Sequence, residues 1–242
     1  MSIKPSPPQY VTAPPSRAAD RRPLACPLGM YGHDGDMSER FADVPSDDPT
    51  GLPGMNGSLT GQLILATPRL TSPQFRRAVV LLLDHDDDGA LGVILNRPTN
   101  TSVHEVLPDW IDLVSHPDVI FSGGPVSTDS ALGVASVRNL SAVHESPLGW
   151  RRLYERTGLV DLDTPPALLE DALSGLRIYA GYAGWHTGQL EAEIQEGAWY
   201  VVSSDPLDIF GADPEDMWRR ILRRQPGNLG FVATFPDDPA MN

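Results

Sequence analysis

Residues Leu81–Pro98 read LLLDHDDDGALGVILNRP, and two structures compete for this stretch. Its centre, Asp84-x-Asp86-x-Asp88-Gly89, is how a calcium-binding EF-hand loop opens. Such a loop needs oxygen ligands spread along about twelve residues, a bidentate Glu at the last position, and helices on both sides. Counting from Asp84, the twelfth residue is Leu95, and no carboxylate stands between Gly89 and Leu95. The flanks, AVVLLL and ALGVILN, are short, apolar and rich in Val, Leu and Ile, the pattern of buried strands. A glycine closing a short polar loop between two such runs signals a hairpin, with Gly89 free to take a positive φ. The stretch is therefore read as an antiparallel hairpin with a solvated acidic tip and no metal.

Working outward, GQLILATP predicts a strand, SPQFRRAVVLLLDH a short bend leading into a strand, and SVHEVLPDW a short helix. DVIFSGGPVS predicts a strand ending in a tight Gly-Gly-Pro loop, and ALGVASV another strand. Residues 138–163 fit helix or strand equally. PPALLEDALSG has Pro at its start, apolar residues at helical spacing and Gly after its end, so a helix is predicted. LRIYAGYAGW and AWYVVSS predict strands, TGQLEAEIQEG a helix, and DPEDMWRRILRRQPG the last long helix. A hairpin followed by strands separated by helices indicates a mixed α+β domain.

Residues 1–57 differ in texture. They hold ten of the chain's 24 prolines and no sustained apolar period, so they are read as a disordered proline-rich N-terminal extension. Residues 58–242 are read as a single domain. Met55, just before the first strand, offers a downstream translation start.

The chain of 242 residues carries a net charge of −14, with one lysine, Lys4. From Ser58 onward, 13 Arg stand against 25 Asp and Glu, a balance that repels a phosphate backbone. The densest basic run, Arg219, Arg220, Arg223 and Arg224, lies late on a predicted helix whose start is acidic, which complements the helix dipole. Direct nucleic-acid binding is not expected. No apolar run approaches the length of a membrane helix, and the N-terminus lacks the apolar region of a secretory signal, so a cytoplasmic location is expected. The single cysteine, Cys26, excludes an internal disulfide framework. No cofactor is expected.

Standard catalytic signatures are missing. No serine sits in G-x-S-x-G, and the glycine clusters match neither G-x-G-x-x-G nor a P-loop. His104-Glu105 and His144-Glu145 begin like H-E-x-x-H, but Pro108 and Leu148 stand where the second His belongs. His85 reads as a surface histidine at the strand end. Two glycine clusters remain. Gly123-Gly124-Pro125 allows close backbone approach by another group, and GYAGWHTGQLE, with Gly184, Trp185 and Gln189, ends a strand and opens a helix.

GQLILATPRLTSPQFRRAVVLLLDHDDDGALGVILNRP, FSGGPV and GYAGWHTGQLEAEIQEGAWYVV, in that order, resemble the YqgE/AlgH family of bacterial proteins. The resemblance runs from about Gly61 to the helix at Asp213–Arg224 and leaves the N-terminal extension outside. It implies an α+β fold: a small barrel-like, bifurcated mixed β-sheet surrounded by helices. Some members carry the label of transcriptional regulator, and the family supplies no settled activity.

The expected function is a non-enzymatic regulatory or binding module acting through a small anionic ligand or a protein partner. The alternative is a hydrolase or transferase on a small acidic substrate, using Arg77, His85 or Arg97; a direct DNA-binding regulator ranks third. The candidate binding residues are Arg77, His85, Asn96, Arg97, Gly123, Gly124, Pro125, Gly184, Trp185 and Gln189. In the sharpest form of this expectation, the Gly-Gly-Pro loop and the Gly184-Trp185 turn wall one crevice, with Arg97 supplying positive charge. The sequence leaves the oligomeric state open.

Overall fold

A computed structural model describes residues 57–138, 146–211 and 213–236. Apart from Gly57, the proline-rich extension lies outside these residues, as does His144-Glu145. The described strands are β1 Gln62–Ala66, β2 Val79–Asp86, β3 Gly89–Ile94, β4 Pro98–Ser102, β5 Val119–Ser122, β6 Val126–Val137, β7 Trp150–Tyr154, β8 Thr157–Val160, β9 Leu173–His186 and β10 Trp199–Ser203. The described helices are short: α1 Val103–Val106, α2 Gln189–Gln195, α3 Pro206–Phe210, α4 Met217–Arg223 and α5 Leu229–Val232, with 3-10 turns at Pro108–Leu113 and Pro166–Leu168.

The quoted stretch is a hairpin. Strands β2 and β3 pair antiparallel up to Asp86 opposite Gly89, leaving Asp87 and Asp88 as the loop. Gly89 takes φ 132°, and the Asp88 N–H is held at 2.8 Å by the Asp86 carboxyl. A side chain at Gly89 would stand 2.2 Å from Trp185 O, so the glycine also admits β9.

The main sheet runs β10-β1-β2-β3-β9-β6-β8-β7. Strand β9 makes it bifurcate. Its last residues pair with β3, while its earlier residues pair with β6 on one edge and β5 on the other. The β5–β9 pair is parallel and the neighbouring pairs are antiparallel, so the sheet is mixed. The fold is α+β: a curled, barrel-like sheet with short helices around it.

Both faces of β1–β3 are covered, which explains their continuous apolar runs. Leu63, Leu65, Leu81 and Val93 point to one core, with Met217, Trp218, Ile221 and Leu222 of α4 against it. Ile64, Val80, Leu82 and Ile94 point the other way, against Phe75, Trp185, Leu190 and Trp199. Each such side chain contributes about 1.5–3 kcal/mol on burial. A third core, including Val103, Trp110, Ile120, Trp150 and Ile178, lies in the other half of the sheet.

Three readings of local structure are corrected. PPALLEDALSG forms only the 3-10 turn Pro166–Leu168, because Leu173 already pairs with Val137 at the start of β9 and the sheet outcompetes helical propensity. The ambiguous stretch resolves as strands β7 and β8, paired with each other. The last long helix is seven residues, and the chain turns at Gln225-Pro226-Gly227, where proline disfavours a helical residue before it and Gly227 takes φ 71°.

Candidate functional site

The ten candidate residues separate into three groups. Arg77, Asn96 and Arg97 come together; His85, Trp185 and Gln189 gather around α2; and the glycines, with Pro125, pack the chain against itself.

The first group lines a pocket of about 350 Å³, formed by Pro73, Arg76, Arg77, Asn96, Arg97, Glu215, Trp218 and Arg219. Three segments build it: the bend before β2, the residues just after β3, and α4 with its lead-in. Arg77 has φ 55°, a left-handed conformation that costs a residue with a β-carbon about 1–3 kcal/mol. The buried Asn96 holds it there. Its Nδ2 donates to Arg77 O at 2.9 Å, and its Oδ1 accepts from the Val79 N–H at 3.0 Å. The Arg77 guanidinium lies 4.9 Å over the Trp218 ring and donates to Phe235 O at 2.8 Å and Pro236 O at 2.6 Å. Trp218 is in turn fixed by its indole N–H on Ala66 O at 2.9 Å.

Arg97 is the half-buried member. Its Nη1 donates to Asn96 O at 3.0 Å and its Nη2 to Arg76 O. Among the described residues these main-chain carbonyls are its hydrogen-bond partners. Burial, and then the neighbouring charge of Arg76, push its pKa below the usual guanidinium value. The pocket thus holds four guanidiniums against the one carboxyl of Glu215.

The second group is structural. His85 is 8% exposed, so the surface reading is corrected. Its Nδ1 accepts from the Leu59 N–H at 2.9 Å, which leaves the ring proton on Nε2, 2.7 Å from Glu191 Oε1. Trp185 is 2% exposed and donates through Nε1 to Glu193 Oε2 at 3.1 Å; it is core rather than the wall of a crevice. The same oxygen accepts from Trp199 Nε1 at 2.7 Å, and Gln189 Nε2 reaches Glu193 Oε1 at 3.0 Å. The opening of α2 is engaged internally: Gln189 Oε1 accepts from the His186 N–H at 3.1 Å, and Thr187 Oγ1 donates to Asp88 O at 3.2 Å.

The third group answers the glycine question. A β-carbon at Gly123 would lie 2.1 Å from Gly181 O, and one at Gly124 the same distance from the Tyr182 carbonyl carbon. The group approaching Gly123-Gly124 is therefore the backbone of β9. Pro125 is exposed, and Gly184 lies in β9 opposite Leu91. The two loops do neighbour each other, but through direct backbone contact.

Pro73, Arg76, Glu215, Trp218 and Arg219 were not singled out from the sequence. The Arg76-Arg77 doublet ahead of an apolar strand was the available signal. Arg219 was hidden among the basic residues of α4, which the structure disperses. Arg224 pairs with Asp208, Arg223 with Asp216 at 3.1 Å, and Arg220 donates to Asp213 O at 2.9 Å. Among the described residues no helix is long and apolar enough to cross a membrane.

A curled, bifurcated α+β sheet with an arginine-lined pocket beside its central hairpin is the class that fold and site define. The AlgH-like family model matches residues 63–230, and the chain belongs to that family. A UPF0301 protein of Streptomyces coelicolor is 60% identical over 185 residues, covering 76% of this chain and 96% of the relative. One from Mycobacterium tuberculosis is 44% identical over 201 residues, covering 82% and 99%. Among solved structures, a Corynebacterium diphtheriae protein matches with a TM-score of 0.69 at 30% identity, covering 81% of this chain and 100% of that one. The AlgH protein of Pseudomonas aeruginosa matches with a TM-score of 0.56 at 26% identity and the same coverage.

Proposed function

We propose that this chain is a non-enzymatic cytoplasmic binding module, regulatory in role, that works through a small anionic ligand held in the arginine pocket. One observation carries the reading: four arginines converge on a single concave site in a chain of net charge −14. Opposed charge there lowers the energy of an anion and draws it to one place on an otherwise repelling surface. The volume is near the lower end of small-molecule sites, about 300–1,000 Å³.

The enzyme reading needs His85 beside Arg77 and Arg97. His85 is engaged by Leu59 and Glu191 and does not line the pocket, which supports binding over catalysis. The dispersal of the α4 arginines likewise supports a small ligand over a DNA backbone, which selects a continuous basic stripe.

A thermal-shift screen of the full chain against small mono- and dianions, repeated on Arg97→Ala, tests the proposal. A ligand at about 100 times its dissociation constant raises stability by about 2.7 kcal/mol. The expected result is stabilisation by at least one anion that is lost in Arg97→Ala. Stabilisation that survives the substitution would move the site elsewhere, and no response to any anion would remove the reading.

A further inference from the structure

We infer that the occupant of the arginine pocket is a phosphate monoester of a small molecule bearing a hydroxyl or amine. This rests on the anion-binding reading above and narrows it to one chemistry.

The first observation is directional. Arg76 and Arg77 enter from the bend before β2, Arg97 from the end of β3, and Arg219 from α4. A carboxylate offers two oxygens in one plane and one charge, and a single guanidinium fork can satisfy it. A phosphoryl group offers three terminal oxygens in a tetrahedral arrangement and a charge of about −1.5 to −2 at neutral pH. Guanidiniums converging from three directions match the second shape, since each can meet a different oxygen or pair of oxygens.

The second observation is the state of Arg97. It is half-buried, its hydrogen bonds go to the neutral carbonyls of Asn96 and Arg76, and the cation of Arg76 is beside it. A strongly charged anion offsets both the desolvation and the like-charge crowding. The carbonyl contacts aim the guanidinium in advance, so little side-chain freedom is lost on binding.

The third observation limits the rest of the ligand. Glu215 is the pocket's one carboxyl and is exposed at its edge. It repels a second phosphoryl group and accepts from a hydroxyl or ammonium. One phosphoryl group with a donor at the other end fits these walls, whereas a polyphosphate or a nucleic-acid strand brings further negative charge against Glu215.

Isothermal titration of the full chain with glycerol 3-phosphate, inorganic phosphate, sulfate and succinate, at pH 7.5 and pH 5, tests the inference. Glycerol 3-phosphate is expected to bind at least tenfold more tightly than succinate. Its affinity should fall at pH 5, where the ester loses its second charge (pKa about 6), while sulfate, doubly charged at both values, holds its affinity. Arg97→Gln should weaken the ester at least tenfold, and Arg97→Lys should recover only part of that loss because the fork is gone. Arg152→Gln, on exposed β7 away from the pocket, should leave binding unchanged.

Succinate binding as tightly as the ester, in an Arg97-dependent way, overturns the phosphoryl assignment and leaves the anion reading standing. Inorganic phosphate binding more tightly than the ester overturns the ester. A single-stranded oligonucleotide displacing the ester at lower concentration assigns the pocket to a polymer and overturns the small molecule. Absence of binding by all four probes fails this inference and the anion reading together.

Discussion

Two polar clusters flank the central hairpin, and they treat charge in opposite ways. Around α2, the buried carboxyl of Glu193 meets three donors: the indoles of Trp185 and Trp199 and the amide of Gln189. Beside α4, four arginines crowd one pocket with a single carboxyl, and the half-buried one is bonded to neutral carbonyls. The first cluster is complete within the chain. The second is arranged at some cost and completed by nothing the described residues supply. A saturated polar group serves the fold, and an under-compensated one points outward to a ligand.

The largest effect that would break this contrast is expected at Glu193. Glu193→Ala strands two buried indole N–H groups, each costing about 1–3 kcal/mol, so a loss of about 2–5 kcal/mol is expected. At about 2–4 °C per kcal/mol, the melting temperature should drop by roughly 5–15 °C. Glu193→Gln, which keeps an acceptor oxygen, should lose less. An unchanged melting temperature for the Ala variant would mean that the cluster is not structural.

Asn96 joins the two behaviours. Asn96→Ala leaves the buried Val79 N–H without its acceptor and releases the left-handed Arg77, at an expected cost of about 1–3 kcal/mol by denaturant titration. The same variant should also weaken anion binding. Lost stability with full binding would show that the pocket does not depend on the pinned turn.

Tyr179 supplies a pH test of burial without charge. It is fully buried, and desolvation pushes its phenol well above the ordinary value. The unfolded phenol ionises near about pH 10 while the folded one stays neutral, so its contribution is intact below that pH and is lost as pH rises above it. Melting curves from pH 9 to 11 should decline less steeply for Tyr179→Phe.

The smallest stability effect is expected at Arg97, and its smallness sharpens the contrast. Because folding desolvates this guanidinium and sets it against Arg76, Arg97→Gln should leave stability within about 0.5 kcal/mol of the parent. A loss matching that of Glu193→Ala would make Arg97 a structural residue and collapse the distinction.

Much of the fold was legible because burial on both faces writes itself as continuous Val, Leu and Ile. Strands β1, β2, β3 and β10, and the hairpin between β2 and β3, follow from that. WRRLY was not legible as β7, because its half-exposed arginines suit a strand or a helix, and PPALLEDALSG was misread because pairing with Val137 overrode a local signal. Of the pocket, Arg77, Asn96 and Arg97 drew notice as polar residues beside the hairpin. The left-handed turn at Arg77 and the arrival of Arg219 depend on contacts between distant segments, which local patterns do not carry. His85 looked exposed among aspartates; its burial comes from Leu59 and Glu191, 26 and 106 residues away.

Strand β9 has a kinetic consequence. It is hydrogen-bonded to β3 at one end and to β5 and β6 along the rest, with Gly181 at φ 70° where the partners change. Neither half of the sheet can open without exposing part of the same fourteen-residue strand. The amides of β9 should therefore exchange with solvent deuterium only through complete unfolding, and both halves should be lost in one transition rather than in two.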